Sequence, residues 1–263
     1  MFRSGKSLLL APFFLLAASA TPFTINVNFT GGLSPTQQSV FTTAANTWMS
    51  LFSGYQPGIS IAALNINAAG SAIDGIGGVL GSAGPNSVTN QGGYLLATSG
   101  SMSFDSADLA NMESNGTLLA VILHEMAHVM GFGTLWTSNG VDLNNSGQYT
   151  GPAALSTYKA EFSQPSATFI PVELGGSSGT ANGHWNEVDG GGALTGIVSP
   201  LGDMRYELMT GWINSQYFIS QTTVASFVDI GYLAASTEVP EPAPMALLSI
   251  GLIAIGVLRR RAR

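Results

Sequence analysis

The sequence predicts an α+β fold, with a mixed β-sheet and helices in the first half of the chain and a smaller, loop-rich C-terminal lobe. Three observations support this prediction. Short segments near the beginning alternate apolar and polar residues, as half-buried strands do. Two longer segments have apolar residues at helical spacing. Residues 141–183 are rich in glycine, serine and other polar residues, with one short helix-like and one strand-like segment.

The first strand and the first helix have clear sequence signals. Residues 23–32 alternate apolar side chains and end in a glycine pair, which predicts a strand with one buried face. Ser34 can cap the next segment, Pro35 suits a first helical turn, and Gln37 completes a capping box. Apolar residues then recur at helical spacing, so residues 34–52 are predicted to form an amphipathic helix.

The following segments predict two more strands, a loop and a final helix. Residues 59–69 and 93–104 have strand-like composition, whereas the glycine-rich residues 75–87 between them are predicted to form a loop. Residues 220–233 predict a helix with an apolar inner face that ends at Gly231.

An unusually apolar helix contains two of the three histidines of the chain. It is predicted to begin near Asn115 and Gly116 and to end at Gly131 and Gly133, because glycine readily adopts the left-handed turn that closes a helix. Nearly every other residue of this helix is apolar, which indicates burial. A buried polar side chain without a partner costs several kcal/mol. The polar residues of this helix therefore need a partner, and a metal ion is a suitable one.

The histidines of this helix have the spacing of a metal site. His124 and His128 are four residues apart, so both rings lie on one face and can reach the same ion. Glu125 lies one step round the helix, where a carboxylate can take a proton from water activated by the metal. The alternative is a chance match, with two histidines that are hydrogen-bonded within a buried helix.

A complete site needs a third ligand. Gly131 extends the motif to H-E-x-x-H-x-x-G, the beginning of the metzincin pattern. Metzincins have their third histidine three residues later, where this chain has Thr134. The remaining histidine is His184, in GTANGHWNE, and Met209 follows in YELMTGW.

Together these motifs resemble the leishmanolysin family of metzincin peptidases, in which an insertion separates the glycine from the third histidine. The resemblance covers about residues 93–232, including the closing SFVDIGY. The matching residues are His124, Glu125, His128, Gly131, Phe132, His184, Trp185, Glu207, Leu208 and Met209.

This resemblance implies a zincin-like fold, with an active-site helix above the C-terminal lobe. It implies one catalytic Zn²⁺ held by His124, His128 and His184, with Glu125 as general base. Gly131 would then form the turn after the helix. Met209 would form the methionine turn below the metal, and Met204 is the alternative for that place.

Both ends of the chain have the composition of targeting segments. Residues 1–20 resemble a signal peptide, with a basic start, an apolar run and a small-residue cleavage site. Residues 239–263 resemble the PEP-CTERM sorting signal of Gram-negative bacteria, with a short transmembrane segment at 243–258 and terminal arginines. This implies export through the inner membrane to the cell surface or medium, and a sorting enzyme that processes the tail. The C-terminal helix would be a transient anchor; an ordinary membrane anchor is the alternative.

The part between the two ends is strongly acidic. Residues 21–238 are predicted to form one catalytic domain, with an upper lobe at about 21–133 and a lower lobe at about 134–238. This domain has two basic residues, Lys159 and Arg205, against fourteen acidic ones, a formal charge of −12. Such a surface repels the phosphate backbone, which excludes nucleic-acid binding. The chain has no cysteine, so a metal site must use histidine or oxygen ligands.

The sequence therefore predicts an exported zinc endopeptidase that acts on protein or peptide substrates. We expect the substrate to lie extended along an edge strand within residues 94–104. The alternative is a non-catalytic cell-surface or biofilm-matrix protein that uses a zincin scaffold for binding. Glu125 favours the enzyme, because a structural zinc site does not need it.

A second metal, calcium, has weaker support in oxygen-rich segments. These segments contain Asp105, Asp108, Asp142, Asn144 and Asn145. Helix capping by Asp105 and ordinary loop turns are the alternative explanation.

Overall fold

The computed structural model describes residues 22–143, 146–176, 179–186 and 193–235. These residues form an α+β fold, as predicted. The helices are α1 Pro35–Leu51, α2 Leu109–Asn115, α3 Leu118–Met130, α4 Pro152–Glu161 and α5 Gln221–Val228. The strands are β1 Ile25–Gly31, β2 Phe52–Tyr55, β3 Leu64–Ser71, β4 Gly81–Gln91, β5 Tyr94–Asp105, β6 Gln148–Tyr149, β7 Ile170–Pro171, β8 Val198–Ser199, β9 Gly202–Asp203 and β10 Tyr232–Ala234.

The predicted signal peptide at 1–20 and the sorting segment at 239–263 lie outside the described residues, and so does the proposed membrane segment at 243–258. In the described ranges, no helix has the length and apolar character needed to cross a bilayer.

The main sheet contains both parallel and antiparallel pairs, which confirms the mixed sheet. Its strands have the order β1-β3-β5-β4. The first three are parallel, and β4 pairs antiparallel with β5. β3 buries Leu64, Ile66 and Ala68 and exposes Asn65 and Asn67, so one face of the sheet packs against the helices.

Helix α1 forms as its sequence predicts. The Ser34 side chain accepts a hydrogen bond from the Gln37 backbone N–H, and the Gln37 side chain accepts one from the Ser34 N–H. The buried face of α1 packs against α3. At this contact the Trp48 indole, which is fully buried, donates to the Leu123 carbonyl at 3.1 Å. Helix α1 thus packs against α3 and helps to fix its position.

The structure corrects the second part of the loop predicted at 75–87, because residues Gly81–Gln91 form β4 at the edge of the sheet. Pro85 is compatible with an edge strand, since proline has no N–H for a central strand to use. The register shifts on both sides of Ser87. This also corrects the expected substrate strand, because residues 94–104 belong to β5, which lies between β3 and β4. This segment pairs with β4 along its length, and residues 99–104 also pair with β3.

A separate short helix, α2, precedes α3. The predicted start near Asn115 and Gly116 is the end of α2, because Gly116 adopts a left-handed φ of 79° and closes it. Helix α3 then begins at Leu118.

Two of the acidic residues considered for calcium, Asp105 and Asp108, accept hydrogen bonds from backbone groups. Asp105 accepts hydrogen bonds from the N–H groups of Asp74 and Gly75, and Asp108 accepts from Gly77. They hold the loop before β4, so the prediction that Asp105 caps a helix was wrong. Asp142 is buried and accepts from Thr137, whereas Asn144 and Asn145 lie outside the described residues.

Helices α4 and α5 cap each other in the C-terminal part. Asp229, just after α5, accepts from the N–H groups of Ala153 and Ala154 at the start of α4. Glu161, at the end of α4, accepts from the N–H groups of Gln221 and Thr222 at the start of α5. One hydrophobic cluster continues from the main sheet into this part, so the two predicted lobes share a core.

Candidate metal centre

The structure brings the three histidines of the chain together. Helix α3 carries His124 and His128, and His184 approaches from a distant segment. The Nε2 atom of His124 lies 2.9 Å from that of His184 and 3.1 Å from that of His128, and the His128 to His184 distance is 3.1 Å. Among the described residues, these three form the one group of three or more ligand side chains close enough to hold a metal ion.

The other nitrogen of each ring, Nδ1, fixes its protonation. It lies 2.8–2.9 Å from a backbone carbonyl oxygen in every case. The pairs are His124 with Leu208, His128 with Phe132, and His184 with Thr180. A carbonyl only accepts, so Nδ1 carries the proton and each Nε2 presents a lone pair.

Three converging lone pairs cannot hydrogen-bond to one another, whereas a cation placed between them would bind all three. Ligands at about 2.05 Å in a tetrahedral arrangement would be roughly 3.3 Å apart, close to the separations of 2.9–3.1 Å found here. The cluster therefore fits a small divalent metal ion held by nitrogen.

Burial keeps the three imidazoles neutral. It lowers the pKa of His124 to about 3, with the neighbouring His184 contributing in the same direction. The pKa of His128 lies well below its usual value for the same reasons, and burial also lowers that of His184. Since only neutral imidazole binds a metal, these rings are ready to bind one at neutral pH.

Two glycines allow the distant segment to reach the helix end. Gly131 ends α3 with φ of 120°, and Gly133 has φ of 69°. A side chain at Gly133 would place its Cβ 2.5 Å from the Gly183 carbonyl oxygen. The backbone just before His184 thus packs directly on the turn. Thr134, at the place of the usual third histidine, instead donates to the His128 carbonyl at 2.7 Å.

Trp185 anchors the segment that carries His184. The indole is fully buried and lies against Trp136, with ring centroids 4.8 Å apart. Its Nε1 donates to the Thr223 hydroxyl at 2.9 Å, and its backbone N–H donates to the Met209 carbonyl at 3.0 Å. These contacts fix the direction from which His184 enters the site.

The turn at residues 207–210 lies against this cluster. Its Leu208 carbonyl accepts from His124, and its Met209 carbonyl accepts from Trp185. Met204, although also buried, belongs to a short 3-10 helix that precedes the turn. The contacts favour Met209 over Met204, and the role of Met209 below the metal stays a prediction.

Glu125 lies with the histidines on an open cleft of about 640 Å³. Burial raises the pKa of its carboxyl group to about 7. Gly81, Ser82 and Ala83 of β4 line the same cleft, so the edge strand, the glutamate and the metal ligands share one space.

Sequence reasoning missed the residues that act through their backbone. The carbonyl groups of Phe132, Thr180 and Leu208 orient the histidines, and Gly81 and Gly133 permit close approach of two chain segments. A carbonyl group is present at every position, so no residue pattern marks the three acceptors. Of the residues that were missed, only Gly81 and Gly133 have a residue type that could have drawn attention in the sequence.

The metal-free protein is expected to lose stability as the pH falls below about 6.5. In the unfolded chain histidine takes up a proton near this pH, whereas the pKa of His124 in the folded protein is about 3. The unfolded state therefore binds more protons in this window. Each such histidine lowers the free energy of unfolding by up to about 1.4 kcal/mol per pH unit.

Urea unfolding of the wild type and of His124→Gln at pH 6.5 and 5.0 tests this. The buried carboxyl groups of Glu125 and Glu207 have raised pKa values and oppose the effect, but they are present in both proteins. On acidification the variant should lose roughly 1.5 kcal/mol less stability than the wild type. Equal losses would contradict a neutral, buried His124.

Comparison with known proteins identifies one feature of the chain. Residues 238–261 match the PEP-CTERM protein-sorting motif, which confirms the prediction of a C-terminal sorting signal. The motif indicates an exported protein, sorted to the cell surface or extracellular space, whose tail is the target of a sorting enzyme. A search of curated proteins finds no match to the chain. The function of the histidine cluster therefore has to be inferred from its geometry.

Proposed function

We propose that the protein is an exported zinc-dependent endopeptidase of the leishmanolysin-like metzincin type. One observation carries this proposal: three neutral histidines direct their lone pairs to one point, and a glutamate lies beside them on an open cleft. A buried metal centre without a cleft would support only a structural role. The combination of ligand set, carboxylate and access supports hydrolysis.

The ligand chemistry favours zinc. Calcium and magnesium prefer oxygen ligands, whereas imidazole suits zinc and related transition metals. Structural zinc sites have four protein ligands, and catalytic sites have three, which is the number of histidines in this cluster. When bound, zinc supplies a Lewis acid that polarises a carbonyl group and lowers the pKa of water towards 7.

The residues of the chain supply the proton transfers and the substrate contacts. Glu125 accepts a proton from the attacking water and donates it to the leaving amine. The edge strand β4 offers main-chain hydrogen bonds to an extended peptide. Gly81, Ser82 and Ala83 are small, so the peptide can approach the cleft closely.

Removal and return of the metal test the proposal. The protein treated with a chelator should not cleave an unfolded, casein-type substrate, and one equivalent of Zn²⁺ should restore cleavage. Internal peptide products, identified by mass spectrometry, would establish endopeptidase activity. Tight zinc binding without any cleavage would contradict the enzyme and support the non-catalytic surface protein.

Gly81 is expected to be important for the position of Glu125. A Cβ atom at Gly81 would lie 3.1 Å from Cγ of Glu125 and 3.3 Å from the Phe104 ring, tighter than ordinary contact. Gly81→Ala should displace the carboxylate and lower kcat by about tenfold or more, which corresponds to about 1.4 kcal/mol. Zinc content should not change.

Gly84→Ala on the same strand is the matched control. A Cβ atom there meets nothing within 4 Å, so kcat should equal that of the wild type. If Gly81→Ala and Gly84→Ala have the same activity, the proposed contact with Glu125 has no catalytic consequence.

The sorting motif sets the place of action. We propose that an exosortase-type enzyme of a Gram-negative bacterium processes the tail and releases or attaches the protein at the cell surface. Until then, residues 243–258 would serve as a transient membrane anchor. The substrates would accordingly be proteins or peptides outside the inner membrane.

A further inference from the structure

Glu207 is a fully buried carboxylate in the turn at residues 207–210, which contacts the histidine cluster. One oxygen, Oε1, accepts from the Ser220 N–H at 3.0 Å, the Ser220 hydroxyl at 2.9 Å and the Thr223 hydroxyl at 2.6 Å. The other oxygen, Oε2, accepts from the Met209 N–H at 2.5 Å. The carboxylate therefore ties the turn at 207–210 to the first turn of α5.

This turn contacts two parts of the histidine cluster. Its Leu208 carbonyl accepts from Nδ1 of His124 at 2.8 Å. Its Met209 carbonyl accepts from the N–H of Trp185, the residue after His184. Thr223, which donates to Glu207, also accepts from the Trp185 indole. A continuous set of hydrogen bonds thus connects the carboxylate with both the helix ligand and the distant ligand.

Burial of this carboxylate has a cost. Loss of solvation raises its pKa, while the four hydrogen bonds act in the opposite direction. An apolar side chain at this place would fill the core at lower cost, because an ionised group must give up its water shell. A carboxylate at position 207 is thus better explained by its effect on the position of the turn at residues 207–210 than by a contribution to stability.

We propose that Glu207 is a positioning residue of the metal centre, which holds the Leu208 carbonyl where it orients the His124 ring for metal binding. The proposal rests on the metal centre of the proposed function and deepens it. Partners that orient a ligating histidine through its second nitrogen typically affect metal affinity by 10–100-fold. Here that partner is a backbone carbonyl, and Glu207 determines where it lies.

Glu207→Gln is the most direct test, because an amide has one acceptor oxygen where the carboxylate has two. If the glutamine oxygen faces Ser220 and Thr223, its NH₂ group faces the Met209 N–H, and two donors oppose each other. If the side chain has the opposite orientation, the NH₂ group faces the three donors of Ser220 and Thr223. The variant should bind Zn²⁺ and Co²⁺ about 10–100-fold more weakly. The visible absorption of bound Co²⁺ should also change, since it reports ligand geometry.

Asp229→Asn is the matched control. Asp229 is also a carboxylate that accepts from two backbone N–H groups and a hydroxyl, but its partners are Ala153, Ala154 and Tyr149. This variant should lose stability in urea and keep the wild-type metal affinity and Co²⁺ spectrum. If it loses metal affinity as much as Glu207→Gln, the effect is general destabilisation and the proposal fails.

Ser220→Ala is the second variant in case Glu207→Gln does not fold. It removes the hydroxyl that donates to Glu207 and leaves the contact between Thr223 and the Trp185 indole in place. Weaker metal binding by Ser220→Ala would support the proposal, and wild-type binding by every folded variant would overturn it. Metal titration needs no substrate, so it tests the role of Glu207 independently of the proposed peptidase activity. A wild type that binds zinc but cleaves nothing contradicts the peptidase, whereas wild-type binding by Glu207→Gln contradicts only the role of Glu207.

Discussion

Replacement of Glu125 by glutamine is expected to lower peptide hydrolysis by about 10²–10⁴-fold while zinc stays bound, because general acid–base catalysis contributes about this much. Glutamine has nearly the same shape, but it cannot take a proton from water. The histidines keep their backbone partners, so zinc content and affinity should equal those of the wild type. The measurement is kcat/KM on a fluorogenic peptide, with zinc determined on the same sample.

Glu113→Gln is the control for this substitution. Glu113 lies exposed on α2, and its described partner is the Gln37 side chain. The peptidase activity of the Glu113→Gln variant should remain at the wild-type level. If Glu125→Gln also retains full activity with zinc bound, proton transfer by Glu125 must be abandoned, and with it the proposed mechanism.

Replacement of His184 by alanine is expected to weaken zinc binding by about 10²–10³-fold. Structural zinc binding of about 10–16 kcal/mol shared among four ligands gives roughly 2.5–4 kcal/mol for each, which corresponds to this factor. His124→Ala and His128→Ala should have effects of the same size, because all three Nε2 atoms lie within 3.1 Å of one another. Isothermal titration with Zn²⁺ measures each loss.

His184→Cys is the companion variant, because a thiolate can also bind zinc. The chain has no other cysteine, so the new thiol has no alternative partner within it. Partial recovery of affinity in His184→Cys, compared with His184→Ala, would assign position 184 to the metal itself. Full zinc affinity in His184→Ala would show that the site consists of His124 and His128 alone.

Local residue patterns were sufficient to predict the features that depend on neighbours in sequence. The capping box of Ser34 and Gln37 is formed as predicted, because its residues are three apart. The spacing of four between His124 and His128 places both on one face of α3, which is a property of any α-helix. The apolar character of α3 likewise predicted its burial.

Predictions that depended on strand order were less successful. The glycine-rich residues 75–87 were predicted to be a loop, but from Gly81 onward they belong to the edge strand β4, which lines the cleft. Strand β5 was expected at the edge and lies inside the sheet. Composition describes how a segment can fold by itself, whereas its neighbours in a sheet are chosen by packing over long sequence distances.

By itself, the sequence determined that α3 would present two histidines and a glutamate, and that the chain would carry a sorting signal. The family resemblance implied His184 as a third ligand, and the tertiary structure brings it to the other two from 56 residues further along the chain. Only the tertiary structure decided that Gly133 leaves room for this segment and that three backbone carbonyls orient the rings. The physical reason is that helix periodicity acts over a few residues and can be read from spacing. Convergence of distant segments results from the packing of the whole core, which no local pattern records.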